Sequence, residues 1–243
     1  MKKSVLEKFI KKYNINGTIE VVKFVVVSAD KHLKTAAMSD DKHVMVDITL
    51  SEFSELSDLE FGIYDTKTMK KMLSAVTEDI TLTTNTDNGR IASVCFNDGN
   101  VEVQCATADL RILPKTPKIK QLPPFTVEID MTREFMDKYI KAKTALSDEH
   151  ELTIMLNKKN KVEMVIGHGK NNTNRITLKP ETKAGKDVLT KPVRFNANYL
   201  KEVLIANSEC DSTTMSVSDE GLISISFNQD NFNSLYYLRS LDL

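Results

Sequence analysis

The chain has 243 residues, 41% of them hydrophobic and 28% charged, and its formal net charge is −1 at pH 7. This composition is that of a soluble globular protein with one large or two ordinary domains. It contains no apolar run near the roughly 18 residues that a membrane-spanning helix needs, no secretory signal pattern, and three cysteines without metal-like spacing. Free thiols in a reducing compartment, the cytoplasm, are therefore expected.

The predicted elements are four amphipathic helices set among many short strands. The 3.6-residue apolar period predicts the helices at residues 1–14, 65–77, 131–146 and 196–207. Runs of alternating apolar and polar residues fill the rest, and turn signals such as Asp98-Gly99 join them into hairpins. The expected class is α+β, with antiparallel sheets and the helices on one side of them.

One pattern recurs along the chain: an alternating strand, then Asp or Asn, then a helix. It occurs at residues 61–65, 127–130 and 193–196, at intervals of about 65 residues. Asp65, Asp130 and Asn196 stand where helix N-caps are expected. The first helix fits the same spacing without its leading strand, so the chain is predicted to contain four copies of one unit.

A proline-rich segment divides the chain near its middle. Four of the six prolines lie in residues 114–124, and proline fits neither a helix interior nor a central strand. The predicted organisation is an N-terminal domain at 1–112, a connector at 113–124 and a C-terminal domain at 125–243. Each domain then holds two repeats.

No pattern in the sequence indicates catalysis. There is no glycine-rich phosphate loop and no G-x-S-x-G nucleophile turn, and the four histidines are scattered without cysteine partners. The expectation is a protein that is not an enzyme and that has no metal site and no cofactor.

Positive charge is concentrated on the predicted helices, while the remainder of the chain is acidic. Three short segments resemble DNA polymerase sliding clamps: residues 38–50 and 235–241 are similar to proliferating cell nuclear antigen, and residues 61–76 to the clamps of tailed phages. The resemblance implies two similar domains of two β-α-β-β-type repeats, with antiparallel sheets outside and two helices lining the inner face.

The resemblance implies a ring of three chains that encircles duplex DNA without reading its sequence and tethers a polymerase. Twelve of the thirteen helix cations are lysines, whose flexible stems suit sliding better than rigid arginine forks. The expected DNA-binding residues are Lys2, Lys3, Lys8, Lys11, Lys12, Lys67, Lys70, Lys71, Arg133, Lys138, Lys141, Lys143 and Lys201. A clamp loader is a further expected partner, and a phage-encoded clamp would act in the bacterial cytoplasm.

Two more surfaces follow from the resemblance. Edge strands would join the subunits through Val101, Val103 and Cys105 of one chain and Arg175, Ile176 and Leu178 of the next. Short peptides of the polymerase, and of transcription or repair factors, would bind a pocket formed by His43, Val44, Ile119, Leu122, Pro123 and Tyr237.

Interpretations without a binding role also fit these residues. The lysines also fit ordinary solvated helix faces, the two strands fit internal strands, and His43 fits a loop histidine. Alternatives at the level of function are an accessory factor of a polymerase that forms no ring, a subunit of a repair or checkpoint clamp, and an enzyme with an unrecognised site.

Overall fold

The computed structural model describes residues 1–116, 119, 121–169, 174–183 and 188–242. The chain forms two compact units. Unit 1 comprises Met1–Ser39, Val46–Pro117 and Asn228–Ser234, and unit 2 comprises Asp40–Met45, Lys118–Phe227 and Leu235–Leu243. The units are therefore not contiguous in sequence, whereas the predicted limits 1–112 and 125–243 are; those limits stay a prediction.

The first half of the chain contains two helices and seven strands. They are α1 (Lys3–Asn14), β1 (Val22–Val27), β2 (His32–Met38), β3 (Val44–Leu50), β4 (Leu59–Ile63), α2 (Thr66–Leu73), β5 (Thr81–Asp87), β6 (Arg90–Asn97) and β7 (Glu102–Ala106). In unit 1 the strands run in the order β4-β1-β2-β3, and a separate three-stranded sheet has the order β5-β6-β7.

Within the described residues, the second half repeats this plan with two helices and eight strands. They are β8 (Val127–Thr132), α3 (Arg133–Ala145), β9 (Glu151–Leu156), β10 (Val162–Ile166), β11 (Ile176–Leu178), β12 (Val193–Asn196), α4 (Ala197–Ala206), β13 (Ser212–Ser218), β14 (Leu222–Gln229) and β15 (Phe232–Arg239). The strand orders are β15-β14-β13-β8 and β11-β10-β9-β12. The strand pairs with a described register are antiparallel, which confirms the predicted α+β class.

Tight turns set the register of the hairpins. The Asp98-Gly99 turn joins β6 to β7, with Gly99 at φ 92° and Phe96 opposite Val103. The Asn88-Gly89 turn joins β5 to β6, and both of its residues have positive φ. Positive φ is the conformation for which Asn and Gly are favoured, so these sequence signals predict the turns correctly.

Helices α2, α3 and α4 begin at side-chain caps, with one correction to the prediction, whereas α1 has no side-chain cap. Asp65 accepts a hydrogen bond from Thr68 N, and Asn196 accepts from Asn198 N and Tyr199 N. The prediction that Asp130 caps the third helix is wrong, because β8 continues through Thr132, whose hydroxyl accepts from Phe135 N. A carboxylate inside the strand lies too early to reach the helix amides.

Aromatic rings fill the core of unit 1. Phe24 of β1 makes edge-to-face contacts with Phe9 and Tyr13 of α1 and with Phe61 of β4, at centroid distances of 5.3, 5.6 and 5.2 Å. These rings are all buried, and such contacts stabilise beyond the area they bury. The apolar face of α1 thereby fixes the helix on its sheet and leaves the opposite face to solvent.

A buried tyrosine joins the two helices of each unit. In unit 1 the hydroxyl of Tyr13 lies 3.1 Å from Thr66 Oγ1 at the start of α2. In unit 2 the hydroxyl of Tyr139 donates to the carbonyl of Ala197, the first residue of α4, over 3.0 Å. The repeat seen in the sequence therefore extends to a shared contact between the paired helices.

Candidate functional site

Helices α1 and α2 lie side by side in unit 1 and run in opposite directions. The end of α1 meets the start of α2 through Tyr13 and Thr66. At the other end, Lys3 Nζ donates to Val76 O over 2.7 Å, and Lys3 N donates to Glu78 O over 2.7 Å. Both helices bury their apolar faces, so their polar faces are available to a partner.

Five lysines of these two helices are exposed and make no ion pair among the residues that the structure describes. They are Lys8, Lys11, Lys67, Lys70 and Lys71. The nearby Asp65 is engaged elsewhere, because both carboxylate oxygens accept from Thr68, at 2.7 Å to its Oγ1 and to its N. These two hydrogen bonds hold the pKa of Asp65 below its ordinary value, with smaller effects of Lys67 and Lys71.

The lysines at the start of α1 are structural contacts. Lys2 is exposed and pairs with Asp79 at 2.7 Å, while the half-buried Lys3 donates to a backbone carbonyl after α2. Both were predicted to bind DNA. Their ammonium groups are instead engaged in holding α1 against the segment that follows α2.

Lys12 is the clearest correction on α1. The prediction placed it on the solvent face, but it is 1% exposed, and its Nζ lies 5.3 Å from the centroid of the Phe232 ring. Lys12 follows Phe9 by one helical turn, so it lies at the edge of the apolar face. A buried cation over an aromatic face is stabilised by the ring quadrupole and is not available to phosphates.

The cations of α3 are largely compensated by carboxylates of the same helix. Lys138 Nζ lies 2.6 Å from Glu134 Oε1, and Arg133 Nε lies 3.6 Å from Asp137 Oδ1, both at i,i+4 spacing. The ion pair with Lys138 lowers the pKa of Glu134. Lys141 is exposed and makes no ion pair in the described part of the chain.

On α3 and α4, two further predicted cations are engaged by other groups. Lys201 of α4 is half-buried and lies 3.7 Å from Glu202. Lys143 is 2% exposed and donates to the carbonyls of Leu146 and Ser147 at 3.2 and 3.0 Å, so it caps the end of α3. Burial and the nearby Lys201 lower the pKa of Lys143. The prediction that Lys143 contacts DNA is therefore wrong.

In the part of the chain that the structure describes, the two strands predicted to join subunits are both edge strands. β7 lies at one end of the order β5-β6-β7, and β11 lies at one end of the order β11-β10-β9-β12. Val103 and Cys105 point into the core, whereas the exposed Val101 precedes the strand and Arg175 precedes β11. Ile176 and Leu178 are half-buried. An edge strand presents unpaired backbone groups, as a subunit contact requires.

The outward backbone groups of β7 follow from its hydrogen bonds to β6. Thr107 N donates to Ala92 O, and Asp98 N donates to Val101 O, so odd-numbered residues face β6. Antiparallel strands alternate in this respect, and the N–H groups of Glu102, Gln104 and Ala106 face the open edge. Ala108 N, next in this series, already donates to Gly62 O of β4. The free edge therefore ends near Ala106.

The two edges differ in charge. Exposed Glu102 lies on β7, beside the acidic turn at Asp98, whose pKa is held low by backbone donors from Thr77, Val101 and Asn100. Exposed Arg175 and Lys179 flank β11. Opposite charges on two edges favour pairing between copies and disfavour pairing of an edge with itself.

Cys105 gives a test of how firmly β7 is packed. Burial raises the pKa of its thiol to about 11, with a smaller effect of Cys95, and its Sγ lies 3.8 Å from Met72 Sδ of α2. Only the thiolate is nucleophilic, so the reactive fraction of Cys105 near neutral pH is lower by roughly 100-fold than that of a free cysteine.

We expect iodoacetamide to alkylate Cys105 of the native protein at least about 100-fold more slowly than free cysteine at pH 8. Mass spectrometry of proteolytic peptides measures the rate without any substitution, and the same protein in denaturant is the control. Alkylation of the native protein at the rate of free cysteine would contradict a packed β7.

Among the residues of the predicted peptide pocket, His43 lies beside the strand that carries Tyr237, and both belong to unit 2. His43 O accepts from Arg239 N over 2.8 Å, and His43 Nδ1 lies 3.4 Å from Arg239 O, which places His43 beside the end of β15. Tyr237, on the same strand, is half-buried. The prediction that Val44 lines the pocket is wrong, because this residue is fully buried and its side chain belongs to the core.

The connector side of the pocket is partly described. Ile119 and Leu122 are 42% and 38% exposed, which is unusual for large apolar side chains, and Pro123 is half-buried. Pro117, Lys118 and Lys120 of the connector lie outside the described residues. The approach of Ile119, Leu122 and Pro123 to Tyr237 stays a prediction.

The ion pairs of α3 and the burial of Lys143 are both indicated by residue spacing in the sequence. Glu134 and Asp137 precede or follow a cation by four residues, a spacing that predicts ion pairs on a helix. The helical period likewise places Lys143 seven residues after Met136, in the middle of the buried face. Both signals are present in the sequence. In the described part of the chain no group of His, Cys, Asp and Glu could hold a metal ion, and no helix could span a membrane.

Comparison with known proteins identifies the fold. The chain is similar to the crystal structure of proliferating cellular nuclear antigen (PCNA) from Entamoeba histolytica, with TM-score 0.74 and 17% identity over 98% of this chain and 96% of that chain. It is also similar to A. fulgidus PCNA with the C-terminal region of FEN-1 bound, with TM-score 0.72 and 16% identity over 99% and 96%. No protein-family model and no curated protein matches the sequence. The chain therefore has the PCNA fold.

Proposed function

We propose that this protein is a DNA sliding clamp: three copies close into a ring that encircles duplex DNA and tethers a DNA polymerase. The observation that carries the proposal is the match to PCNA over nearly the whole of both chains. The role is mechanical and needs no catalytic group, because a closed ring holds its partner on DNA by topology.

The exposed lysines of α1 and α2 support a DNA-facing role for these helices. Phosphates dominate the attraction of proteins to duplex DNA, and this attraction carries no sequence information. Lysines without a fixed carboxylate partner are able to contact successive phosphates as the protein moves. Lys8, Lys11, Lys67, Lys70, Lys71 and Lys141 meet this condition among the described residues.

The two open edges support assembly from identical copies. The acidic β7 edge of one chain would pair with the basic β11 edge of the next, which is a head-to-tail contact. Head-to-tail contacts close into rings when the rotation between copies allows it. A homotrimer is the closed form that we propose, because each chain supplies two units of similar plan.

Partner proteins are proposed to bind the pocket near His43, Ile119, Leu122, Pro123 and Tyr237. One of the similar structures has the C-terminal region of FEN-1 bound to A. fulgidus PCNA. By analogy we propose that the polymerase, a clamp loader and transcription or repair factors present short segments to this protein. The protein would act in the compartment that holds the DNA, the bacterial cytoplasm if a phage encodes it.

The test of this function is whether binding depends on DNA ends. A ring without a loader threads onto linear duplex only through a free end, so we expect retention on linear DNA and its loss when streptavidin blocks both biotinylated ends. Native mass at several protein concentrations is measured in parallel. Equal binding to open and blocked DNA would exclude encirclement and favour an accessory factor that forms no ring.

A further inference from the structure

The two pairs of helices differ in how their cations are compensated. In unit 1, α1 and α2 carry five exposed lysines without an ion pair among the described residues, and the one exposed acid of α1, Glu7, pairs with none of them. In unit 2, α3 and α4 carry one such lysine, Lys141. The helix pairs are therefore alike in fold and unlike in the charge that they offer.

The compensation on α3 comes from its own first turns. Glu134 holds Lys138 at 2.6 Å, and Asp137 lies 3.6 Å from Arg133. Acidic residues near a helix N-terminus are also favoured by the helix dipole, which stabilises the ionised form of these carboxylates. A phosphate approaching α3 meets two anions as well as the two cations.

We infer that the DNA-contacting charge of this protein resides in unit 1, on α1 and α2, and that Glu134 and Asp137 hold α3 of unit 2 to weak contact. This inference rests on the proposed function, and it adds that the two units differ in the strength of their contact with DNA. The partner of α1 and α2, and of α3, is the phosphate backbone of duplex DNA. The weak contact of α3 is set by two residues and is reversible by substitution.

The experiment measures binding to a fluorescent linear duplex with free ends, by anisotropy at a series of NaCl concentrations. Each lysine that neutralises a phosphate contributes about 0.9 to the slope of log K against log salt concentration. We expect K67A/K70A/K71A to bind more weakly with a shallower slope. We expect E134Q/D137N to bind more tightly with a steeper slope, since Lys138 loses its ion pair and Arg133, which also donates to the carbonyl of Ser208, loses the nearby carboxylate.

A matched control separates this local effect from net charge. E60Q/E128Q also raises the net charge by two and also removes the carboxylate partners of two cations, because Glu60 lies 3.1 Å from Lys23 and Glu128 lies 3.9 Å from Lys183. Both acids are on strands, β4 and β8. We expect this variant to keep the slope of the wild type. Circular dichroism and native mass confirm that every variant folds and assembles alike.

The outcomes distinguish this inference from the proposed function. If K67A/K70A/K71A weakens binding while E134Q/D137N behaves as wild type, or gains no more than E60Q/E128Q, the inference is overturned and the clamp function stands. If K67A/K70A/K71A binds as wild type with an unchanged slope, α2 does not carry DNA-contacting charge and the inference is overturned, whereas the clamp function fails only if binding is equal on open and end-blocked DNA. A gain confined to E134Q/D137N supports the inference.

Discussion

Gln104→Pro is expected to convert the assembled protein into single chains. The N–H of Gln104 faces the open edge of β7, so proline at this position leaves the hydrogen bonds to β6 in place. Proline is tolerated in edge strands whose N–H faces outward, but its ring blocks the addition of another strand. Sedimentation should show the mass of one chain, in contrast to the mass of three chains expected for the proposed homotrimer of the wild type.

The control for this substitution is Gln104→Ala, which keeps the N–H and removes only an exposed side chain. This variant should assemble as the wild type does. Unchanged mass of a folded Gln104→Pro protein would mean that β7 is not the subunit contact, whereas thermal unfolding at a much lower temperature would show that the substitution damaged the sheet.

Replacing Leu122 and Tyr237 together by alanine should strongly weaken the binding of a polymerase C-terminal peptide. Leu122 is exposed in the connector, and Tyr237 is half-buried on β15. Aromatic anchors of interfaces often contribute roughly 2 kcal/mol or more each, so L122A/Y237A should weaken binding by at least about 30-fold. Titration of a labelled peptide, followed by anisotropy, measures the change.

Val188→Ala is the matched control for the pocket. Val188 is an exposed apolar residue of the same unit, at 57% exposure, and it is not among the predicted pocket residues. It should leave peptide affinity unchanged. Equal affinities of L122A/Y237A and wild type would place the pocket elsewhere, and loss of the assembled mass would mean that these residues serve the subunit contact.

The strands were predictable where side chains alternate and a turn follows. Val162–Ile166 and Leu222–Gln229 carry β-branched or aromatic residues on their buried face and are bounded by Asn, Asp or Gly. β2, His32–Met38, carries a weaker strand signal in the sequence, because its inward residues are Leu33, Thr35 and Ala37. Alanine and lysine are poor strand formers, and only pairing with β1 shows that this segment is extended.

The sequence predicts which helices carry excess lysine, but not which of these lysines are free of other contacts. The excess of lysine on helices is visible in the sequence, but charge counts do not tell a free lysine from Lys12 over Phe232 or from Lys143 capping α3. The position of a strand in its sheet depends on pairing between distant segments. The edge status of β7 and β11 was thus expected only from the resemblance, and the strand order is what establishes it.

The five exposed lysines of α1 and α2 also bear on the folding of unit 1. Like charges on two helices that are joined at both ends repel one another in the free protein, and this repulsion opposes the compact state. A polyanion that binds the folded helices relieves the repulsion, and any ligand specific to the folded state raises its stability. Duplex DNA is therefore expected to protect unit 1 from thermal unfolding and proteolysis. The folded state of the protein is expected to be least stable at low ionic strength without DNA.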